Sequence, residues 1–261
     1  MTKQLNRPKQ LNAFTTELIV ELIEALRALN EHPKTVFTVL TGKGRFFSSG
    51  ADVKGTGSPS LSTEWSSTAQ KKVAYLGYFS SALELLRSMI DHKKVFVLAL
   101  NGPAVGGGAA WFEGIADIVL AAQGVWLQIP FNALGLVPEN GSSTLFAQTV
   151  GVHRANDFLM FGRKLTVEEL KDWGMVNRVF PAEHFHDIVI QFLEQQLHIN
   201  DGKSMMETKR LQNLPLRQKR MLAVYDSVDA LAERFVEDAP KKRFEEKRKM
   251  LEAKSKTRSK L

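Results

Sequence analysis

Between residues 15 and 29 the apolar side chains Leu18, Leu22, Ala25, Leu26 and Leu29 recur at the spacing of one helix face, behind Thr15 or Thr16 as a candidate N-cap. The period then changes. Thr35-Val36-Phe37-Thr38-Val39-Leu40-Thr41 reads as a buried strand, ended by Gly42-Lys43-Gly44. A surface loop rich in Ser, Thr and Gly is expected over 55–67, before a long helix over about 69–91. A second strand is expected at 95–100. It is followed by Asn101-Gly102-Pro103, the cluster Gly106-Gly107-Gly108, a short helix, and strands near 118–121 and 125–129. Thr166 and Glu169 have the spacing of a capping box, which predicts a helix over 167–173. Beyond Pro181 the pattern is wholly helical, with segments near 182–197, 204–211, 216–235 and 240–254. Strands alternating with helices and then a helical tail predict an α/β body with a helical C-terminal region. The expected division is a core over 1–195 and a helical region over 196–261.

The 261 residues, 44% of them hydrophobic, are enough to bury a substantial core. No run approaches the roughly 18 consecutive apolar residues of a membrane helix, and Met1-Thr2-Lys3-Gln4-Leu5 lacks the apolar centre of a secretory signal. Neither membrane insertion nor export is expected. With no cysteine, disulfides, thiolate catalysis and cysteine-ligated zinc are excluded, so the chemistry falls to oxygen and nitrogen groups. The net charge of +7 is concentrated in Lys241, Lys242, Arg243, Lys247, Arg248 and Lys249, which lie among acids. That mixture reads as a solvated helix face, or as a partner for a small polyanion, and no nucleic-acid partner is expected.

Nucleotide and hydrolase motifs fail on inspection. Phe47 stands where G-x-G-x-x-G needs its third glycine after Gly42 and Gly44, and neither a P-loop nor G-x-S-x-G occurs. His184-x-His186 does not have metal-site spacing on a helix, so no metal is expected. Ser259-Lys260-Leu261 spells the peroxisomal address, which predicts peroxisomal localisation with the import receptor as a partner.

Three loops remain. Phe46-Phe47-Ser48-Ser49-Gly50-Ala51-Asp52 and Asn101-Gly102-Pro103-Ala104-Val105-Gly106-Gly107-Gly108 have small residues that let backbone N–H groups approach a ligand, as an oxyanion hole requires. They are equally readable as two tight turns. Pro138-Glu139, within Leu134 to Ser143, is equally readable as the first turn of a helix.

Taken together, the three loops resemble the crotonase (enoyl-CoA hydratase/isomerase) superfamily, over almost the whole chain from Leu5-Asn6-Arg7-Pro8 onward. Residues 130–143 are most similar to the fungal peroxisomal Δ3-Δ2-enoyl-CoA isomerases. The resemblance implies a ββα spiral with a helical C-terminal region that takes part in assembly into a homotrimer or homohexamer. Against that pattern the first strands look short or missing, because Leu5-Asn6-Arg7-Pro8 follows Met1 so closely.

The resemblance also implies Ala51 and Gly107 as oxyanion donors, with Gly108 as the alternative to Gly107 because the helix between Gly108 and Asp117 is one residue longer than is usual in the family. Ser49, Gly50, Ala51, Asp52, Gly106 and Gly107 are implied to bind an acyl-CoA thioester. Glu139 is implied as the single catalytic carboxylate. Coenzyme A enters as part of the substrate, and no other cofactor is expected. The two glutamates of the hydratases correspond to Ala110 and Phe131 here, which favours double-bond isomerisation in β-oxidation. Two alternatives remain: a hydratase-like enzyme of a peroxisomal secondary-metabolite pathway using Glu139 alone or with Glu113, and a non-catalytic acyl-CoA-binding protein. The apolar neighbours Leu134, Leu136 and Val137 are expected to raise the proton affinity of Glu139.

Overall fold

The structure, a computed structural model, describes residues 1–52, 64–243, 245, 246 and 249. Most of the loop expected at 55–67, most of the helix expected at 240–254, and Ser259-Lys260-Leu261 lie outside these residues.

Two strand sets build the body. Strand β1 (Thr2–Leu5) pairs in parallel with β2 (Phe37–Gly42), which pairs with β3 (Val95–Leu100), then β5 (Ile118–Ala122), then β8 (Arg178–Phe180). Every residue of β2 and β3 is buried, so both faces of this parallel sheet are covered and the strands read as continuous apolar runs. The second, smaller sheet is β4 (Ala104–Val105), β6 (Trp126–Gln128) and β7 (Lys164–Thr166).

The chain alternates between the two sets. β2 is followed by Ser48, which bridges in parallel to Ala104; β3 is followed by β4, and β5 by β6. A helix or helical turn comes after each of these pairs, which is the ββα spiral expected from the resemblance. At the opening of the chain, where the first strands look short or missing in sequence, Thr2–Leu5 supplies a short strand in register with Val39–Gly42, at the edge of the large sheet.

The helices follow the apolar periodicity closely. In α1 (Thr16–Glu31) the Thr15 hydroxyl accepts the Leu18 N–H, and Ile19, Leu22, Ile23, Leu26 and Leu29 are buried. Helix α2 (Thr68–Ile90) packs against α1 and along α9 (Arg217–Val236), so the C-terminal helix lies directly over the body. Helix α6 (Val167–Asp172) starts with the reciprocal Thr166 and Glu169 bonds of a capping box. Helices α7 (Phe185–Ile199) and α8 (Gly202–Asn213) complete the C-terminal region. No helix among the described residues is long and apolar enough to cross a membrane.

His184 and His186 do not form a site. His184 is exposed at the start of α7, while His186 Nε2 lies 3.1 Å from the Thr41 hydroxyl.

Candidate active site

The first two loops meet because each gives the other what its backbone needs. Phe14 N–H donates to Gly50 O at 2.8 Å, and Asp52 N–H donates to Phe14 O at 2.9 Å. This parallel bridge brackets Ala51 and turns its N–H away from Phe14, leaving it without a partner among the described residues. Gly50 has φ +90°. A Cβ there would lie 2.8 Å from Val105 O, so the turn requires glycine both for its torsion and for the approach of the second loop.

Across that contact, Gly106 N–H donates to Gln128 O, and helix α3 (Gly107–Ala110) begins with the Gly107 N–H unpaired among the described residues. The Gly50 α-carbon faces the Gly107 nitrogen: a Cβ on Gly50 would sit 3.4 Å from it. Gly108 is packed instead on Ser48, its Cβ direction blocked at 2.7 Å. Of the two glycines, Gly107 is therefore the one whose N–H adjoins the Gly50-Ala51 turn.

The third loop carries Glu139. Proline and glutamate do not open a helix here. Asn140 (φ +52°) and Gly141 (φ +78°) form consecutive left-handed positions, and α4 (Ser142–Val150) begins only after them. Gly141 N–H donates to the Ser227 hydroxyl of α9 at 2.9 Å, which ties this turn to the C-terminal helix. Glu139 is thus held just outside α4 with its carboxylate free to face a cavity.

That cavity, of about 220 Å³, is lined by Ala51, Asp52 and Glu139 together with Phe14, Ile19, Tyr78, Phe79, Ala82, Trp111 and Leu231. Its apolar lining comes from α1, α2 and α9 and from Phe14 and Trp111 outside them, and Arg7, Glu17 and Asn140 add polar groups to the wall. Leu134, Leu136 and Val137 are not among its lining residues, so the pocket expected from the neighbours of Glu139 in sequence is replaced by one assembled across the fold. Burial raises the Glu139 pKa to about 7, and a hydrogen bond of 3.1 Å from the Trp111 indole N–H to Oε2 opposes that rise.

Other expected site residues are placed differently. The Asp52 carboxylate pairs with Arg7 at 3.1 Å, bracing the end of the first loop. Ser49 N–H donates to Leu11 O, and of the expected binding residues only Ala51 and Asp52 line the cavity; Ser49, Gly50, Gly106 and Gly107 do not. Gly107 lies under Trp111, whose ring atoms a Cβ would meet at 2.9 Å. Glu113 is buried, its Oε2 lacks a hydrogen-bond partner among the described residues, and burial pushes its pKa up to about 8; it does not line the cavity. Ala110 and Phe131, at the positions of the hydratase carboxylates, are both buried and apolar.

Trp111 was not legible as a site residue from its surroundings in sequence. A signal exists in retrospect: helical side chains tilt toward the N-terminus, so a large residue four positions after Gly107 lies back over it.

Residues 1–252 match the enoyl-CoA hydratase/isomerase family. The chain is 36% identical over 175 residues to the Delta(3,5)-Delta(2,4)-dienoyl-CoA isomerase of Pyricularia oryzae, a match covering 66% of this chain and 62% of that relative. It is 29% identical over 246 residues to the Saccharomyces cerevisiae protein of the same name, covering 92% and 89%. The structure matches an enoyl-CoA hydratase/isomerase from Pseudoalteromonas atlantica with a TM-score of 0.79 at 26% identity, covering 94% and 93% of the two chains. A family match over nearly the full length, joined to this fold and these loops, places the chain in the enoyl-CoA hydratase/isomerase family.

Proposed function

We propose that this protein is an enoyl-CoA isomerase that converts 3-enoyl-CoA to 2-enoyl-CoA in peroxisomal fatty acid β-oxidation. The observation that carries the reading is Glu139: a buried carboxyl group with its pKa raised to about 7, on a cavity that Ala51 also lines. The N–H groups of Ala51 and Gly107 hold the thioester oxygen. Glu139 takes a proton from C2, and the C–H electron pair forms the dienolate, whose oxygen charge the two N–H groups stabilise. Glu139 then returns the proton at C4. The C2–C3 double bond forms as the C3–C4 double bond is lost, and the thioester carbonyl is restored. This sequence calls for no metal or redox group.

Hydration would ask for a second acid or base, and the apolar Ala110 and Phe131 argue against one at the hydratase positions. A second reading, a 3,5-dienoyl to 2,4-dienoyl shift, is favoured by the names of the Pyricularia and Saccharomyces relatives. That reaction moves the proton from C2 to C6, a longer path than one carboxylate spans readily. Purified protein given 3-hexenoyl-CoA, 3,5-octadienoyl-CoA and 2-hexenoyl-CoA separately is expected to turn over the first with a kcat/KM at least about 10-fold above the others. Preference for the dienoyl thioester, or hydration of the 2-enoyl one, would replace the reading.

Peroxisomal delivery rests on Ser259-Lys260-Leu261. A fluorescent protein fused ahead of this chain is expected to collect in peroxisomes, and to become diffuse when the three residues are deleted. Unchanged distribution after the deletion would remove that part of the proposal.

A further inference from the structure

One side chain touches more of the candidate machinery than any residue singled out by motif. Trp111 follows α3 directly, and its ring closes over the α-carbon of Gly107. Its face stacks on Phe14 with ring centroids 4.9 Å apart, and the backbone of Phe14 brackets Ala51 on both sides. Its indole N–H donates to Glu139 Oε2 at 3.1 Å, while no residue among those described hydrogen-bonds to Oε1. Trp111 is buried, and it lines the same cavity as Glu139.

The indole N–H is a donor only. It therefore stabilises the ionised carboxylate more than the protonated form, and it cannot take up the transferred proton. Holding Oε2 also removes a choice. A free carboxylate rotates and offers either oxygen, whereas one fixed at Oε2 presents a single oxygen in a single direction, which favours removal and return of a proton on one face of the substrate.

We infer that Trp111 is a positioning residue for the proton transfer, its N–H holding Glu139 Oε2 so that Oε1 is the oxygen that meets C2 and C4, while its ring keeps the Gly107 and Ala51 turns in place around the thioester. This inference rests on the reading of Glu139 as the proton shuttle. Ala51, Gly107 and Glu139 lie on three separate loops, and Trp111, with Phe14 stacked on it, links all three.

The hydrogen bond is tested apart from its packing by Trp111→Phe, which keeps an aromatic ring and removes the N–H. Loss of a donor to the charged form raises the Glu139 pKa, so the rising limb of the kcat/KM profile is expected to move to higher pH by about one unit. At pH 7 the rate is expected to fall about 10-fold with KM changed less than about 2-fold. A purely structural role would lower melting temperature and activity together and leave the limb in place.

A second measurement needs no variant of Trp111. In ¹⁵N-labelled protein the Trp111 indole resonance is expected to titrate with a midpoint near pH 7 and to become flat in Glu139→Gln. An unmoved limb in a folded Trp111→Phe, or an indole signal insensitive to pH, would overturn the inference. Isomerisation that survives in Glu139→Gln would instead defeat the reading of Glu139 as shuttle, whatever the indole does, so the two failures are distinguishable.

Discussion

Lys209→Met is expected to lower stability by about 3 kcal/mol, read as a fall in the urea midpoint, because it leaves the partly buried Asp117 carboxylate without its cation. Lys209 is only 8% exposed, on the face of α8 that meets the N-terminal ends of β3 and β5. Its ammonium lies 2.7 Å from Asp117 Oδ2 and donates to Lys94 O at 2.7 Å. Asp117 Oδ2 also accepts the Phe96 N–H at 2.7 Å, so this one oxygen joins the start of β3, the approach to β5 and the C-terminal helices.

Burial alone would push the Lys209 pKa down, and the Asp117 charge opposes that shift, as expected of a pair desolvated together. Removing Lys209 leaves the desolvation cost of Asp117 offset only by its remaining hydrogen bonds, the one from the Phe96 N–H among them. Lys209→Met with Asp117→Asn is therefore expected to recover part of the loss, since the uncompensated charge is gone. A loss below about 1 kcal/mol in the single variant would mean that water reaches Asp117 and that α8 is held by its apolar contacts alone.

How far the sequence anticipated the molecule depends on the range of the forces involved. The α1 and α6 starts were legible because a cap is a local event: Thr15 needs only Leu18, and Thr166 only Glu169. The strands at Phe37–Gly42 and Val95–Leu100 were legible because burial on both faces leaves an uninterrupted apolar run. Strand β1 was not. Its four residues are mostly exposed and polar at the sheet edge, and only pairing with β2 makes them a strand.

The candidate site divides in the same way. The turns at Gly50 and Gly106 were marked by small residues in sequence, since positive φ there demands glycine. The walls around Glu139 were misplaced because they come from Phe14, Tyr78, Trp111 and Leu231, residues far apart in sequence that only the tertiary fold brings together. Pro138-Glu139 has the local character of a helix start. The left-handed Asn140-Gly141 pair, pinned to Ser227, overrides it.

For Glu139 the sign of the pKa shift predicts two effects of opposite sense. Its native pKa, about 7, lies above the usual 4.5, so the folded state holds this proton more tightly than the unfolded chain. The contribution to stability is fully present below pH 4.5 and is lost as pH rises through 7. Glu139→Gln, which carries no charge to bury, is thus expected to be more stable than the wild type above pH 7, even though it lacks the base. A variant that gains stability while losing activity is not simply damaged.

The most direct test of the account is the pH dependence of 3-hexenoyl-CoA isomerisation by the wild type beside Glu139→Gln. Wild-type kcat/KM is expected to rise with pH through a midpoint near 7, as Glu139 becomes the carboxylate that removes the C2 proton. In Glu139→Gln, kcat is expected to be lower by about 10²-fold or more at pH 8. A wild-type profile without that limb, or a glutamine variant within a few-fold of the wild type, would contradict Glu139 as the group that moves the proton.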